Sequence, residues 1–474
     1  MARARMHFLD GTETSRIHAI ALRLLDEVGV RVHSVTVGEM LEEYGAMRSK
    51  NGERMLIPEN VVKEALSTAP KSILLAARDE SKDMRIPAVD GRMYVANGGE
   101  GVYMVNLLTG ESRATTSADL RNFAILVEAM PQIDFFWPMV GALEQPARIK
   151  EVYELKTTLE WTTKHVQLGA ITAEQAKMMV RMASILTDGE DNLAKRPIIS
   201  SVQCPISPLA FEKGLVEAQV EFARAGIPVV AMAASVAGLT SPVTISGTVA
   251  QTTAENLASL VISQAASKGS PFVFSSDSSP GDLKTGSIDY GALETPLFRA
   301  AAGQMAEHYG LPKMVAGLGL ENLSTTMGNI WEGVHYMTSY AIVQSDLASG
   351  FGGLDQAAGA SYEQLVLDAW VWEAAREFTR EFDFGEDAIS FDTIRAAGLD
   401  GNFLAKRHTS LMFRKEATAT RIPSCTIAER LKVAERNDAI VKAHEEASRI
   451  LDGPKNPKLD ADQAAAIDKI LKEW

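Results

Sequence analysis

The sequence predicts an α/β fold, a (β/α)8 (TIM) barrel with an N-terminal helical cap and a C-terminal helical extension. Three observations predict it. From residue 93 onward, short apolar runs of the kind that form buried parallel strands alternate with longer helical segments. The alternation repeats eight times in about 290 residues, the count and length this barrel needs. The competing arrangement, an open doubly wound sheet, also alternates. However, no Gly-x-Gly-x-x-Gly follows the first strand, and no phosphate loop ending in Gly-Lys-Ser/Thr occurs.

In chain order, Met93–Asn97 is the first strand and leads to a helix over Ser117–Met130, with Ser117 placed to cap it. Asp134–Val140 leads to Ile149–Trp161, His165–Ala170 to Thr172–Leu186, and Pro197–Gln203 to Pro208–Ala225. Pro228–Ala233 leads to Thr248–Ser267, Pro271–Ser276 to Glu294–Tyr309, Lys313–Gly317 to Thr326–Gln344, and Leu347–Gly352 to Tyr362–Phe382. Gly226 before Pro228 and Gly310 before Pro312 punctuate helix-to-strand turns. The barrel is thus expected over 93–385. Residues 1–92 form the cap, with apolar stripes at helical spacing in Ser15–Val28, Val35–Tyr44 and Pro58–Ala69. Residues 386–474 form the extension: a charged amphipathic helix over Ile427–Asp452, a turn rich in Gly and Pro, and a last short helix. These flanks are expected to cover the barrel or to join copies of the chain, making a homo-oligomer.

Composition removes several function classes. The formal net charge of −14 opposes a nucleic-acid partner. No apolar signal core follows the N-terminus and no long uncharged apolar run occurs, so a cytoplasmic chain without a membrane partner is expected. Cys204 and Cys425 are too few for a disulfide scaffold or a cysteine-rich metal site. The eight histidines include no His-x-x-x-His pair and none sits at ligand spacing from a cysteine, so no metal site is expected. His165 opens a strand, which favours a packing role. There is no Gly-x-Ser-x-Gly elbow.

Chemistry in such a barrel sits on the loops that follow the strands. The first is Asn97-Gly-Gly-Glu-Gly-Val-Tyr103, whose glycines let a ligand approach the backbone. Tyr94, Tyr103, Phe136 and Trp137 lie on or just after the first two strands. Their faces would attract a cation, although aromatics fill barrel cores as readily. Gln203 ends the fourth strand and Asp277 follows the sixth; these two are the expected catalytic residues, while Asp also caps turns. Asn322 follows the seventh strand, Phe351 ends the eighth, and His335 with Tyr336 lies on the seventh helix. Tyr94, Asn97, Tyr103, Phe136, Trp137, Asn322, His335, Tyr336 and Phe351 are the expected substrate-binding set.

Several stretches together resemble the trimethylamine methyltransferase (MttB-type) superfamily of corrinoid-dependent enzymes. They are Gly98-Gly-Glu-Gly-Val-Tyr103 with Thr109-Gly110 and the helix that follows, Ser200-Ser-Val-Gln-Cys-Pro-Ile-Ser-Pro-Leu209, and Glu294-Thr-Pro-Leu-Phe298. His308-Tyr-Gly-Leu-Pro312, Ser361-Tyr-Glu-Gln-Leu-Val-Leu-Asp368 and Gly401-Asn-Phe-Leu-Ala-Lys-Arg-His-Thr409 complete the set. The resemblance implies a barrel. It also implies transfer of a methyl group to cob(I)alamin carried by a separate corrinoid protein. Archaeal trimethylamine enzymes carry pyrrolysine after the seventh strand, whereas Val315-Ala-Gly-Leu-Gly-Leu-Glu-Asn-Leu323 here is made of ordinary residues. The implied donor is therefore a quaternary amine. Glycine betaine, giving dimethylglycine, comes first, ahead of proline betaine, carnitine and γ-butyrobetaine. Two other readings stay open: a barrel lyase or hydrolase for a small anion with Asp277 as general base, and a non-catalytic betaine-binding protein.

Overall fold

The computed structural model describes residues 4–315, 317, 327–399, 401–416 and 438–473. Asn322 and Cys425 lie outside the described residues.

Parallel strands form a closed barrel. They are β1 (Tyr94–Asn97), β2 (135–136), β3 (Val166–Leu168), β4 (Ile199–Gln203), β5 (Val229–Ala233), β6 (Phe272–Ser276), β7 (Lys313–Val315) and β8 (Leu347–Phe351). Seven of them make one sheet in the order β1-β8-β7-β6-β5-β4-β3. The eighth, β2, closes the ring through single parallel bridges, Ala96 to Phe135 on one side and Phe136 to Val166 on the other. The sequence predicts seven residues of strand here; Phe135 and Phe136 pair within the barrel, and Val140 bridges Gly101 beyond the break. Pro138 explains the shortfall, because it has no N–H to give a ladder and interrupts pairing just past Trp137.

Eight helices alternate with the strands: α1 (Ser117–Ala129), α2 (Lys150–Trp161), α3 (Ala173–Ile185), α4 (Lys213–Arg224), α5 (Ile245–Ala266), α6 (Thr295–Tyr309), α7 (Met327–Val343) and α8 (Tyr362–Ala375). Three local expectations change. Thr116 rather than Ser117 caps α1, in a capping box with Asp119. An additional short helix, Glu190–Lys195, precedes β4. The fourth helix starts at Lys213 because Ala210–Phe211 instead pairs with Arg31–Val32.

Residues alternate along each strand between two apolar clusters. Ala96, Phe135, Trp137, Val202, Val230, Met232, Val273, Met314 and Leu347 fill the barrel interior. Their neighbours, among them Val95, Phe136, Ile199, Ala231, Phe274 and Ala348, pack outward against the helices. The interior cluster also takes in Ile73, Leu75, Met84 and Ile86 from an antiparallel hairpin (Ile73–Leu75 with Met84–Ile86). This hairpin plugs the N-terminal end of the barrel and leaves the C-terminal end open.

The helix α5 is buried over most of its surface because Gly11–Arg23, Val35–Tyr44 and Glu59–Thr68 pack on its outer side. That is why it lacks a single apolar stripe, and why Gln251, Glu255, Asn256 and Gln264 on it are buried and hydrogen-bonded. The helix Asp438–Asp452 lies on α8 and α1, and Ala461–Lys472 lies on α3 and α2. No helix among the described residues is long and apolar enough to cross a membrane.

His165 sits at the plugged end, fully buried, with Nδ1 2.8 Å from the Ala76 carbonyl oxygen and Nε2 2.9 Å from Ser200 Oγ. Burial pushes the imidazole down to about 4 from the ordinary 6.5. Below about pH 6.5 the unfolded chain therefore takes up a proton that the folded chain refuses until about pH 4. Stability is lost as pH falls through that window, on the order of 3 kcal/mol from this group. His165→Gln, compared with the parent protein by chemical denaturation at pH 7 and pH 5, is expected to lose less stability on acidification. An equal loss in the two proteins would refute this assignment.

Candidate functional site

A cavity of about 310 Å³ opens at the C-terminal ends of the strands. Gly98, Glu100, Trp137, Cys204, Met232, Asp277, Tyr290, Gly317 and Ser349 contribute to its wall. Five of these residues come directly from barrel parity: Trp137, Cys204, Met232, Asp277 and Ser349 continue the inward-facing rows of their strands.

Trp137 is held by its backbone. Asn97 Nδ2 donates to the Trp137 carbonyl at 2.6 Å, and the Trp137 N–H donates to Asn97 Oδ1 at 3.1 Å. This reciprocal pair replaces the ladder that Pro138 breaks and fixes the indole at the mouth. Gly98 packs against that indole. A Cβ there would stand 3.0 Å from Trp137 Cε3, and the φ of +156° also favours glycine.

On the opposite part of the ring Asp277 anchors a network. Its Oδ1 accepts from Arg299 Nη2 at 2.7 Å and its Oδ2 accepts from the Tyr290 hydroxyl at 2.6 Å. Arg299, 1% exposed at its side chain, also donates to the Gly317 carbonyl and to the Tyr340 hydroxyl. The Tyr336 hydroxyl in turn donates to the carbonyls of Tyr290 and Ala292, which fixes the loop that carries Tyr290. Burial pushes the Asp277 carboxyl above the ordinary range, while Arg299 and the Tyr290 phenol pull it back. Cys204 is pushed up to about 12 by burial and by the nearby Asp277 and Glu100 charges, so it stays a thiol.

Glu100 is the remaining charged group of the wall. It lines the cavity with its side chain exposed at the mouth; desolvation by the surrounding wall raises its carboxyl, with Lys150 opposing and Glu151 adding to the rise. Lys150 is itself ion-paired to Glu151 at 3.2 Å and to Glu154 at 3.6 Å.

The sequence-derived site residues divide by where their side chains point. Trp137 and Asp277 reach the cavity. Asn97 and Tyr336 brace groups that do. Tyr94 faces inward at the plugged end, under the Arg92 guanidinium 4.6 Å from its ring centre. Tyr103 bonds Asp355 on a rim hairpin. Phe136 and Phe351 face the helices, Phe351 with its ring 6.4 Å from that of Trp372. Gln203 also faces outward and donates to Ser201 Oγ at 2.8 Å. His335 is half-buried on α7, its ring 5.5 Å from that of Tyr336. Glu100, Tyr290 and Arg299 were not among the expected residues. Glu100 stood within the first glycine-rich loop, and Arg299 directly follows the Glu294–Phe298 stretch, but nothing local in the sequence marks Tyr290.

A family model described as trimethylamine methyltransferase (MTTB) matches residues 2–473. The chain belongs to the trimethylamine methyltransferase family. It is a methyltransferase. Among curated members of the trimethylamine methyltransferase family, one named trimethylamine methyltransferase MttB, from Desulfitobacterium hafniense, is 28% identical over 97% of this chain and 92% of its own. A glycine betaine methyltransferase from a second strain of that organism is 25% identical over 99% of this chain and 97% of its own. MttB from Methanosarcina thermophila is 26% identical over 96% of this chain and 95% of its own. A crystal structure of the hydroxylamine complex of MtmB superposes with a TM-score of 0.51 over 93% of this chain and 92% of its own, at 11% identity, and shares the fold.

Proposed function

We propose that this protein transfers a methyl group from a quaternary ammonium donor held in the mouth cavity to a cob(I)alamin-type corrinoid presented by a separate protein. The observation that carries the reading is the cavity. One small space at the strand ends brings together the Trp137 indole, the Met232 thioether side chain and the Glu100 carboxyl. An aromatic face and a carboxylate in one small pocket suit a permanent cation.

The chemistry asks little of acids and bases. When the methyl carbon is displaced, the C–N pair stays on nitrogen as a neutral tertiary amine, and the reduced cobalt supplies the electron pair for the new bond. No proton moves. The residues of this chain bind, orient and desolvate the donor so that one methyl faces the opening. A cavity of about 310 Å³ takes a small amine and leaves a corrin macrocycle outside, at the rim. The rim suits a docked partner: Val102, Leu143, Ile171, Ile206, Leu239 and Leu283, from six successive loops, are all exposed. Glycine betaine, giving dimethylglycine, is the first donor to test, in keeping with the named relative.

Purified protein mixed with free cob(I)alamin and a quaternary amine is expected to form methylcobalamin, followed by the cobalt absorption spectrum. No methyl transfer from any quaternary amine would overturn the reading.

A further inference from the structure

Within that reading, we infer that Glu100 is the counter-ion of the bound ammonium and makes this mouth selective for quaternary ammonium cations that carry no carboxylate of their own. The inference rests on the proposed methyl transfer and names its substrate class.

Charge accounting around the cavity leads there. Asp277 and Arg299 form an ion pair at 2.7 Å, so their charges largely cancel, and the guanidinium is turned to Gly317 and Tyr340 as well. Lys150 is shared between Glu151 and Glu154. Glu154 also accepts from the Ala142 N–H at 2.8 Å, and burial pushes its carboxyl up to about 7. One ammonium therefore serves three neighbouring carboxyl groups, with Glu100 the one that reaches the cavity. Glu100 makes no hydrogen bond among the described residues. Its carboxyl is exposed at the mouth, stands in a ligand-sized space and shares that space with an indole.

Such a wall treats the two kinds of donor differently. A simple quaternary cation such as choline or tetramethylammonium gains the Glu100 carboxylate and the Trp137 face at once. A zwitterion gains the same contacts at its ammonium. It then brings its own carboxylate, a few bonds away, toward Glu100. Specificity of this kind comes from the repulsive element as much as from the attractive one.

The test uses the full chain and two readouts: donor binding by calorimetry, and methylcobalamin formation from added cob(I)alamin. Choline or tetramethylammonium is expected to bind about fivefold tighter than glycine betaine, the scale of one exposed charge contact. Glu100→Gln is expected to weaken the cations about fivefold and to change glycine betaine far less, so the preference collapses. Glu100→Asp should restore part of the preference. If glycine betaine binds and reacts better than the cations in the parent protein, or Glu100→Gln weakens both kinds of donor alike, the inference fails and the methyltransferase reading stands. If no quaternary amine of either kind transfers a methyl group, the reading itself fails.

Discussion

Asp277→Ala is expected to destabilise the fold by about 3–5 kcal/mol, because it removes one half of a buried ion pair. Arg299 is 1% exposed at its side chain, and its Nη2 lies 2.7 Å from Asp277 Oδ1. The same change removes the acceptor for the Tyr290 hydroxyl, so the loop forming one side of the cavity loses its tie to β6. Chemical denaturation of the two proteins measures this directly. A loss below about 1 kcal/mol would show that the pair is dispensable.

Asp277→Asn tests whether this residue moves a proton in the reaction. Asparagine keeps an acceptor for Tyr290 and removes the charge. If Asp277 were a general base in the reaction, the substitution should cost about 10²–10⁴ in kcat. In a methyl transfer without proton movement, kcat at saturating donor should fall by less than about tenfold, with no new inflection in its pH profile. A loss in the larger range would return Asp277 to the role of base.

Trp137→Ala carries the second large effect. A desolvated contact between a cation and an indole contributes about 2 kcal/mol, so donor binding should weaken roughly thirtyfold. Trp137 is 9% exposed and part of the barrel interior, so truncation should also cost about 3–5 kcal/mol of stability. Trp137→Phe keeps an aromatic face and most of the packing, and it should recover much of both losses. Equal donor affinity in the parent and alanine proteins would remove Trp137 from the binding site.

Asn97 shows why part of the site was hidden in the sequence. The loop Asn97–Tyr103 is legible as a glycine-rich turn after a strand, and that much points to a ligand. Whether Asn97 faces the ligand or the neighbouring strand depends on β2 breaking at Pro138, which frees the Trp137 backbone for the Asn97 amide. Phe136 and Trp137 are adjacent aromatics of similar promise in the sequence. One-residue parity sends the first to the helices and the second to the mouth.

The sequence by itself determined the barrel: eight apolar runs, eight helical segments and the turns between them are local patterns of hydrophobicity and punctuation, and these dictate element type and order. It also carried the family, through motifs spread along most of the chain. Only the tertiary structure decided which side chains share the mouth. Tyr290 lies 13 residues from Asp277, and Arg299 lies 22 residues from it. These contacts are set by how strand ends converge around a closed ring. That convergence is a property of the whole barrel, and no segment of the sequence encodes it alone.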